Sequence, residues 1–314
     1  MKGFYPLVYD AKELARAKPF LFEAGNVHQP SFAVDVGWPT VFGPTPANRS
    51  RLALADWLTS KDHPLTARVY VNRIWQHHFG RGLVANASDF GVKGGKPTHP
   101  ELLDWLASEL LRTGSTKHVH RLIVMSSTYA QASTASPANA KRDPDNLYLW
   151  RWQPRRLDAE AIRDAFLAVS GALDRKIGGA STTDDKTVRR SVYLLQKREA
   201  PPLHQALFDG PIGMTESCAK RQTTTVALQP LYLLNSDFSV ERAKALANRV
   251  VRSAGDDRAK QIAATYRLAL GREPDVRERA LAERFFERLE SYSASALDHY
   301  CQAIMNLNEF VYID

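Results

Sequence analysis

The sequence predicts a mainly α-helical, multi-helix domain with a short β element and an extended N-terminal segment, on three observations. Apolar residues recur at helical spacing through most of the chain after Asn48. Start and stop residues such as Pro64, Gly80 and Asp158 fall at the ends of those periodic stretches. Within the helical text, RRSVYLLQKR alternates as a strand would. With 314 residues, 44% of them hydrophobic, the chain can bury a sizeable core.

Residues 1–46 hold Pro- and Gly-rich text such as GNVHQPSFAVDVGWPTVFGPTP, which reads as an extended segment with one or two short strands; residues 47–314 read as the helical domain, with a sub-boundary near 175–225. RLALADWLTS sets Leu54, Trp57 and Leu58 on one face, capped by Asn48 or Ser50. The next helix is expected to start at Pro64 and to stop at Gly80. Val71, Ile74, Trp75 and His78 form its apolar stripe, and Tyr70, Arg73 and His77 share a neighbouring face. After the glycine-studded loop RGLVANASDFGVKGGKP, Thr98 and Glu101 have capping-box spacing ahead of ELLDWLASELL. Thr116 is expected to cap KHVHRLIVMSSTYAQAS, and Asp158 to cap AEAIRDAFLAVSGAL. RRSVYLLQKR is expected to form a strand, partnered by the N-terminal segment or by TTTVAL at 223–228. Helical text then resumes in LYLLN, in DFSVERAKALANRVV after Ser236, in RAKQIAATYRLAL up to Gly271, in a helix from about Asp275 with Leu281, Phe285 and Leu289 aligned, and in SALDHYCQAIMNL.

A formal net charge of +8 makes an acidic partner worth weighing, whether nucleic acid, anionic polysaccharide or lipid headgroup. The basic residues come as pairs (Arg155 with Arg156, Arg189 with Arg190, Lys197 with Arg198, Lys220 with Arg221) with acidic residues between them, which reads as solvated surface and not as a nucleic-acid stripe. No apolar run approaches the roughly 20 residues of a membrane span, and the opening lacks the layout of a signal peptide. Cys218 and Cys301 are the only cysteines, so no CxxC metal or haem motif and no disulfide framework can be assembled. Neither Ser217-Cys218 nor any other position sits in a nucleophile-elbow frame, and Asp184-Asp185 and Asp256-Asp257 read as surface or caps.

Two groups stand out chemically. Asn72, Arg73, His77, His78, Arg81 and His99 surround the glycine loop and form a candidate polar cleft for a carboxylate or sulfate. The plainer account is that Asn72 and Arg73 tie loop carbonyls to the helix and that His78 is a hydrogen-bonded core residue. His63, His118 and His120 extend the histidine group, but without an H-E-x-x-H spacing no metal is expected. Trp150, Arg151, Trp152, Arg155 and Arg156 form a candidate basic aromatic patch, against a packing role for the same tryptophans.

The blocks RLALADWLTSKDHPLTARVYVNRIWQHHFGRGLV, SDFGVKGGKPTHPELLDWLASEL, HRLIVMSSTYAQAS, RRLDAEAIRDAFLAVSGALD, RRSVYLLQKR, LQPLYLLNSDF, YRLALGREP and MNLNEFVYID follow one another over nearly all of 47–314. In that order the chain resembles the C-terminal domain of planctomycete-type cytochrome-c multidomain proteins, the family of domain of unknown function 1553. The resemblance implies a periplasmic or cell-envelope setting and, as partners, other domains of the same architecture. Haem c is implied only for a separate domain of longer members, so no cofactor is expected in this chain, which has no CxxCH. The expected function is a non-catalytic structural or interaction module of a bacterial envelope protein. The alternatives are an enzyme or accessory protein in complex polysaccharide degradation and, more weakly, a nucleic-acid binder.

Overall fold

Most helix ends in this protein are set by side chains that take up the free backbone groups of a first or last turn. A computed structural model describes residues 20–35, 37–43, 50–197, 200–210, 220–221, 223–290 and 295–313. Among them lie thirteen α-helices and two small antiparallel two-stranded sheets, so the architecture is mainly α. The N-terminal hairpin pairs β1 (Phe20–Phe22) with β2 (Pro30–Ala33). α1 (Arg51–Thr59), α2 (Thr66–Phe79), α3 (Pro100–Thr113) and α4 (Thr116–Val124) follow, then α5 (Pro137–Arg142) and β3 (Arg155–Arg156). The remainder comprises α6 (Ala159–Val169), α7 (Leu203–Leu207), α8 (Leu228–Asn235), α9 (Asp237–Ala254), α10 (Arg258–Leu270), α11 (Val276–Glu290), α12 (Ala296–Met305), α13 (Asn308–Val311) and β4 (Tyr312–Ile313).

Val71, Ile74 and Trp75 of α2 are buried with Leu103 and Leu106 of α3 and Val119 and Ile123 of α4, which makes a first core. Ile162 and Phe166 of α6 meet Leu246 and Val250 of α9, Cys301 and Met305 of α12 and Phe310 of α13 in a second. A third joins Ile262 and Tyr266 of α10, Phe286 of α11 and Tyr300 of α12 to it through Ala269, Leu270 and Leu297, which pack against both. The chain passes from the first core to the second between Trp152, which packs on Phe79 and Tyr129, and Leu157. No helix of the described residues is long and apolar enough to cross a membrane.

The structure corrects several expected ends. Ser50 caps α1 by accepting from Ala53 N, while Asn48 lies outside the described residues. α2 begins at Thr66, two residues past Pro64, because His63 Nδ1 accepts from the backbone N–H of Leu65 and Thr66. Thr98 makes no capping box: both its N–H and its hydroxyl are directed at Leu83 O, and His99 occupies the cap position without a side-chain bond. Ser115, not Thr116, caps α4 by accepting from His118 N. That helix stops at Val124, where Ser126 returns its N–H and hydroxyl to Ile123 O. A reciprocal box sits at Asp275 and Glu278, each carboxylate accepting the other's N–H at 2.7 Å. Of the three residues expected in line on α11, Phe285 and Leu289 pack against the third core beside the buried Ala282 and Phe286, while Leu281 is 60% exposed.

The strand expected in RRSVYLLQKR is instead a 3-10 turn at Ser191–Tyr193. Side chains of α6 occupy its backbone groups: Ser191 N donates to Asp164 Oδ1, and the buried Arg163 guanidinium donates to the carbonyls of Asp185, Thr187 and Arg189. Two isolated bridges, Asp174 to Arg189 and Thr182 to Leu194, are all the pairing this stretch has among the described residues. TTTVAL forms no strand there either; the second sheet pairs Arg155–Arg156 with the C-terminal Tyr312–Ile313.

Candidate functional site

α2 has two working faces. Asn72, on the buried side, spends its whole amide on the loop that follows: Nδ2 donates to Val84 O at 3.1 Å, and Oδ1 accepts from Val84 N at 2.9 Å. Gly80 ends the helix in the left-handed region, at φ 75°. At Gly82 a Cβ would lie 2.5 Å from Val84 O and 2.7 Å from Asn72 Nδ2, so only glycine lets the chain turn this tightly against the helix. The turn carries Arg81 to the same side as Arg73 and His77, which α2 exposes.

The opposite wall comes from residues 145–158. The Asp143 carboxylate accepts from the N–H of Leu147 and Tyr148, Trp150 Nε1 donates to Asp143 O, and Asn146 Nδ2 donates to Arg151 O. These bonds hold Asn146 and Leu149 at φ 52° and 55°, backbone that non-glycine residues rarely adopt. The knot delivers β3 to the cleft. Arg155 Nη1 reaches across to donate to His77 O at 2.8 Å and so ties the two walls together.

Arg156 points inward. Its side chain is 5% exposed, and it donates to Thr224 O, to Gln229 Oε1, to Phe208 O and to Asp209 Oδ2, the last at 2.6 Å. Burial pushes the Asp209 carboxyl up, but donors from Thr224 together with Arg156 outweigh it and hold it below the usual range. Arg221 makes a two-pronged contact with Glu160.

These walls enclose a cleft of about 780 Å³. Six cationic side chains line it (Arg73, Arg81, Arg155, Arg156, Lys220 and Arg221) against two carboxylates, Asp145 and Asp158. Asp209 and Glu160 pair with Arg156 and Arg221 from outside the lining. Among the described residues no acceptor engages the Arg73 or Arg81 guanidinium.

Both sequence-derived groups contribute to this cleft. Arg73, His77 and Arg81 come from the first, Arg155 and Arg156 from the second. The other residues of those groups lie elsewhere. Asn72 is buried under the loop, and His99 binds Thr98 Oγ1 and sets its ring against Tyr148 at 5.7 Å. His78 turns away to His120, Nε2 to Nδ1 at 2.7 Å, and its pKa is lowered first by burial and then by the charges of His120, Arg155 and His77. Trp152 is buried, and Arg151 lies over the Trp150 ring at 5.0 Å. Lys220, Arg221 and the Asp209–Thr224–Gln229 group behind Arg156 had no signal in sequence spacing beyond a basic pair: Arg221 meets Glu160, and Asp209, Thr224 and Gln229 meet Arg156, across more than 50 residues of chain. Ser217 and Cys218 lie outside the described residues. Among the described residues no group of three or more His, Cys, Asp or Glu is placed to hold a metal ion.

No curated protein and no solved structure matches the chain. A family model described as Protein of unknown function (DUF1553) matches residues 50–286, which include all of the first core, most of the second and most of the cleft lining. The chain belongs to the DUF1553 family.

Proposed function

We propose that this domain is a non-catalytic binding module of a cell-envelope protein and that its cleft holds a segment of an acidic polysaccharide. The observation that carries the reading is the convergence of six cationic side chains on one cleft, two of them, Arg73 and Arg81, with no acceptor among the described residues. A guanidinium offers paired donors that match the two oxygens of a carboxylate or sulfate, and it stays protonated, so it suits holding charge and not moving protons. The aromatic residues of the lining, Trp75 and Phe79, stack on each other at 4.3 Å and leave no platform for successive bases, which favours a glycan over a nucleic acid. The family resemblance supports a periplasmic or envelope setting beside c-type cytochrome domains whose haem sits outside this chain; cell fractionation that recovers the protein in the cytoplasm would remove that setting.

Calorimetric titration with polygalacturonate and with a sulfated glycan tests the binding. Arg73→Ala with Arg81→Ala is expected to weaken it on the order of a hundredfold, because two charge-assisted bonds are lost. The melting temperature should hold, since both residues are exposed. Affinity should also drop as salt rises. Equal binding of a neutral glycan, or an unchanged affinity in the double variant, would discard the reading.

A further inference from the structure

Tyr70, Arg73 and His77 stand at i, i+3 and i+7 on α2, inside an arc of roughly 60° of its surface. All three are exposed, as is Thr66 one turn before them, and this stripe carries no carboxylate. Arg73 and His77 line the cleft; Tyr70, one turn before Arg73, is not part of its lining. Tyr70 is 46% exposed, and its hydroxyl lies 3.3 Å from Thr116 Oγ1 at the start of α4, a contact that steadies the ring while leaving part of the residue open to solvent. A half-open phenol ring one helical turn from Arg73, whose guanidinium has no acceptor among the described residues, suits a ligand that alternates apolar sugar faces with negative groups.

We infer that this stripe extends the cleft, so that a linear acidic polysaccharide runs along α2 with its carboxylates or sulfates on Arg73 and Arg81 and a sugar ring stacked on Tyr70. The inference rests on the cleft reading above and adds to it a direction, a minimum ligand length and a residue that sets it. Tyr70 lies about 10 Å from His77 along the helix axis. A short ligand seated between the cleft walls therefore stops before the phenol ring, and a longer one reaches it.

Calorimetry on the full chain, with disaccharides and octasaccharides of polygalacturonate and of a sulfated glycan, tests this directly. The octasaccharide that carries the recognised anion is expected to bind more tightly than its disaccharide, and the responding series identifies carboxylate or sulfate as the group held. Tyr70→Ala should weaken octasaccharide binding roughly three- to tenfold and leave the disaccharide unchanged. Tyr70→Phe, which keeps the ring and loses the contact with Thr116, should restore most of the affinity. An octasaccharide indifferent to Tyr70→Ala would overturn the inference, and so would equal losses at both lengths or preferential binding of a single-stranded oligonucleotide in competition. Failure of every acidic glycan to bind at any length is a different outcome, and it removes the cleft reading itself.

Discussion

Arg155 and Arg156 are neighbours with opposite duties, because successive residues of an extended segment point to opposite sides. Arg155 stays at the cleft surface and links its walls through His77 O; Arg156 is sunk among carbonyls and Asp209. Burial governs His204 as well. Its Nε2–H donates to Ala159 O, and burial first, then the nearby Arg163 charge, lowers its pKa to about 4. An imidazole kept neutral in the fold but free to take a proton once unfolded stabilises the fold above about pH 6.5, and that contribution disappears as pH falls toward 4. Urea unfolding at pH 7 and pH 4.5 should therefore differ by a term on the order of 3 kcal/mol from this residue. His204→Gln should flatten the slope; a variant with the wild-type slope would show that His204 is not its source. His78 acts in the same direction, its pKa lowered first by burial and then by neighbouring charges. At Cys301, burial pushes the thiol up to about 12, against a hydrogen bond from Thr265, so it stays protonated and inert at neutral pH.

Elements owe their ends to partners that a one-dimensional reading ranks poorly. Thr98 looks like a cap, but the nearby Leu83 carbonyl claims it; His63 does not look like one, yet it serves two N–H groups at the start of α2. The consequence for function runs through α2 and its loop, where Asn72 and Gly82 hold Arg81 at the cleft. Asn72→Ala breaks two buried hydrogen bonds and leaves the Val84 backbone unpaired, which should cost about 2–4 kcal/mol. It should also reduce glycan affinity by loosening Arg81, in contrast to an equally destabilising change in the second core. Chemical denaturation and titration on one sample check both effects. A loss below about 0.5 kcal/mol, the ordinary scatter of neutral surface changes, would mean the Asn72 clamp is not what shapes the loop.

Across the whole molecule the cleft depends on how the chain's end is held. Arg272 makes two-pronged contacts with Glu278 of α11 and with Glu309 of α13, whose following strand pairs with β3. Arg272 and Glu309 are well exposed, so each pair taken alone would contribute little; the double fork raises the network above an ordinary surface pair. Arg272→Ala is expected to cost about 1–2 kcal/mol, with the difference shrinking at high salt, as read from denaturant midpoints at low and high ionic strength. A salt-independent loss would point to packing of the Arg272 stem over Tyr266 instead.

The sequence alone determined the fold class, the Val71, Ile74 and Trp75 face of α2 and the stops at Gly80 and Gly271, because 3.6-residue periodicity and left-handed glycine ends are local properties. It also singled out Arg73, His77, Arg81, Arg155 and Arg156, though as two separate groups. Only the tertiary structure decided that they share one cleft, that Asn72, His78 and Trp152 are taken up by packing, and that the C-terminal strand, not RRSVYLLQKR, pairs with Arg155–Arg156. The physical reason is competition: a donor or a strand edge goes to whichever partner packing brings closest, and residues more than 50 positions apart leave no spacing in the chain to announce that they will meet.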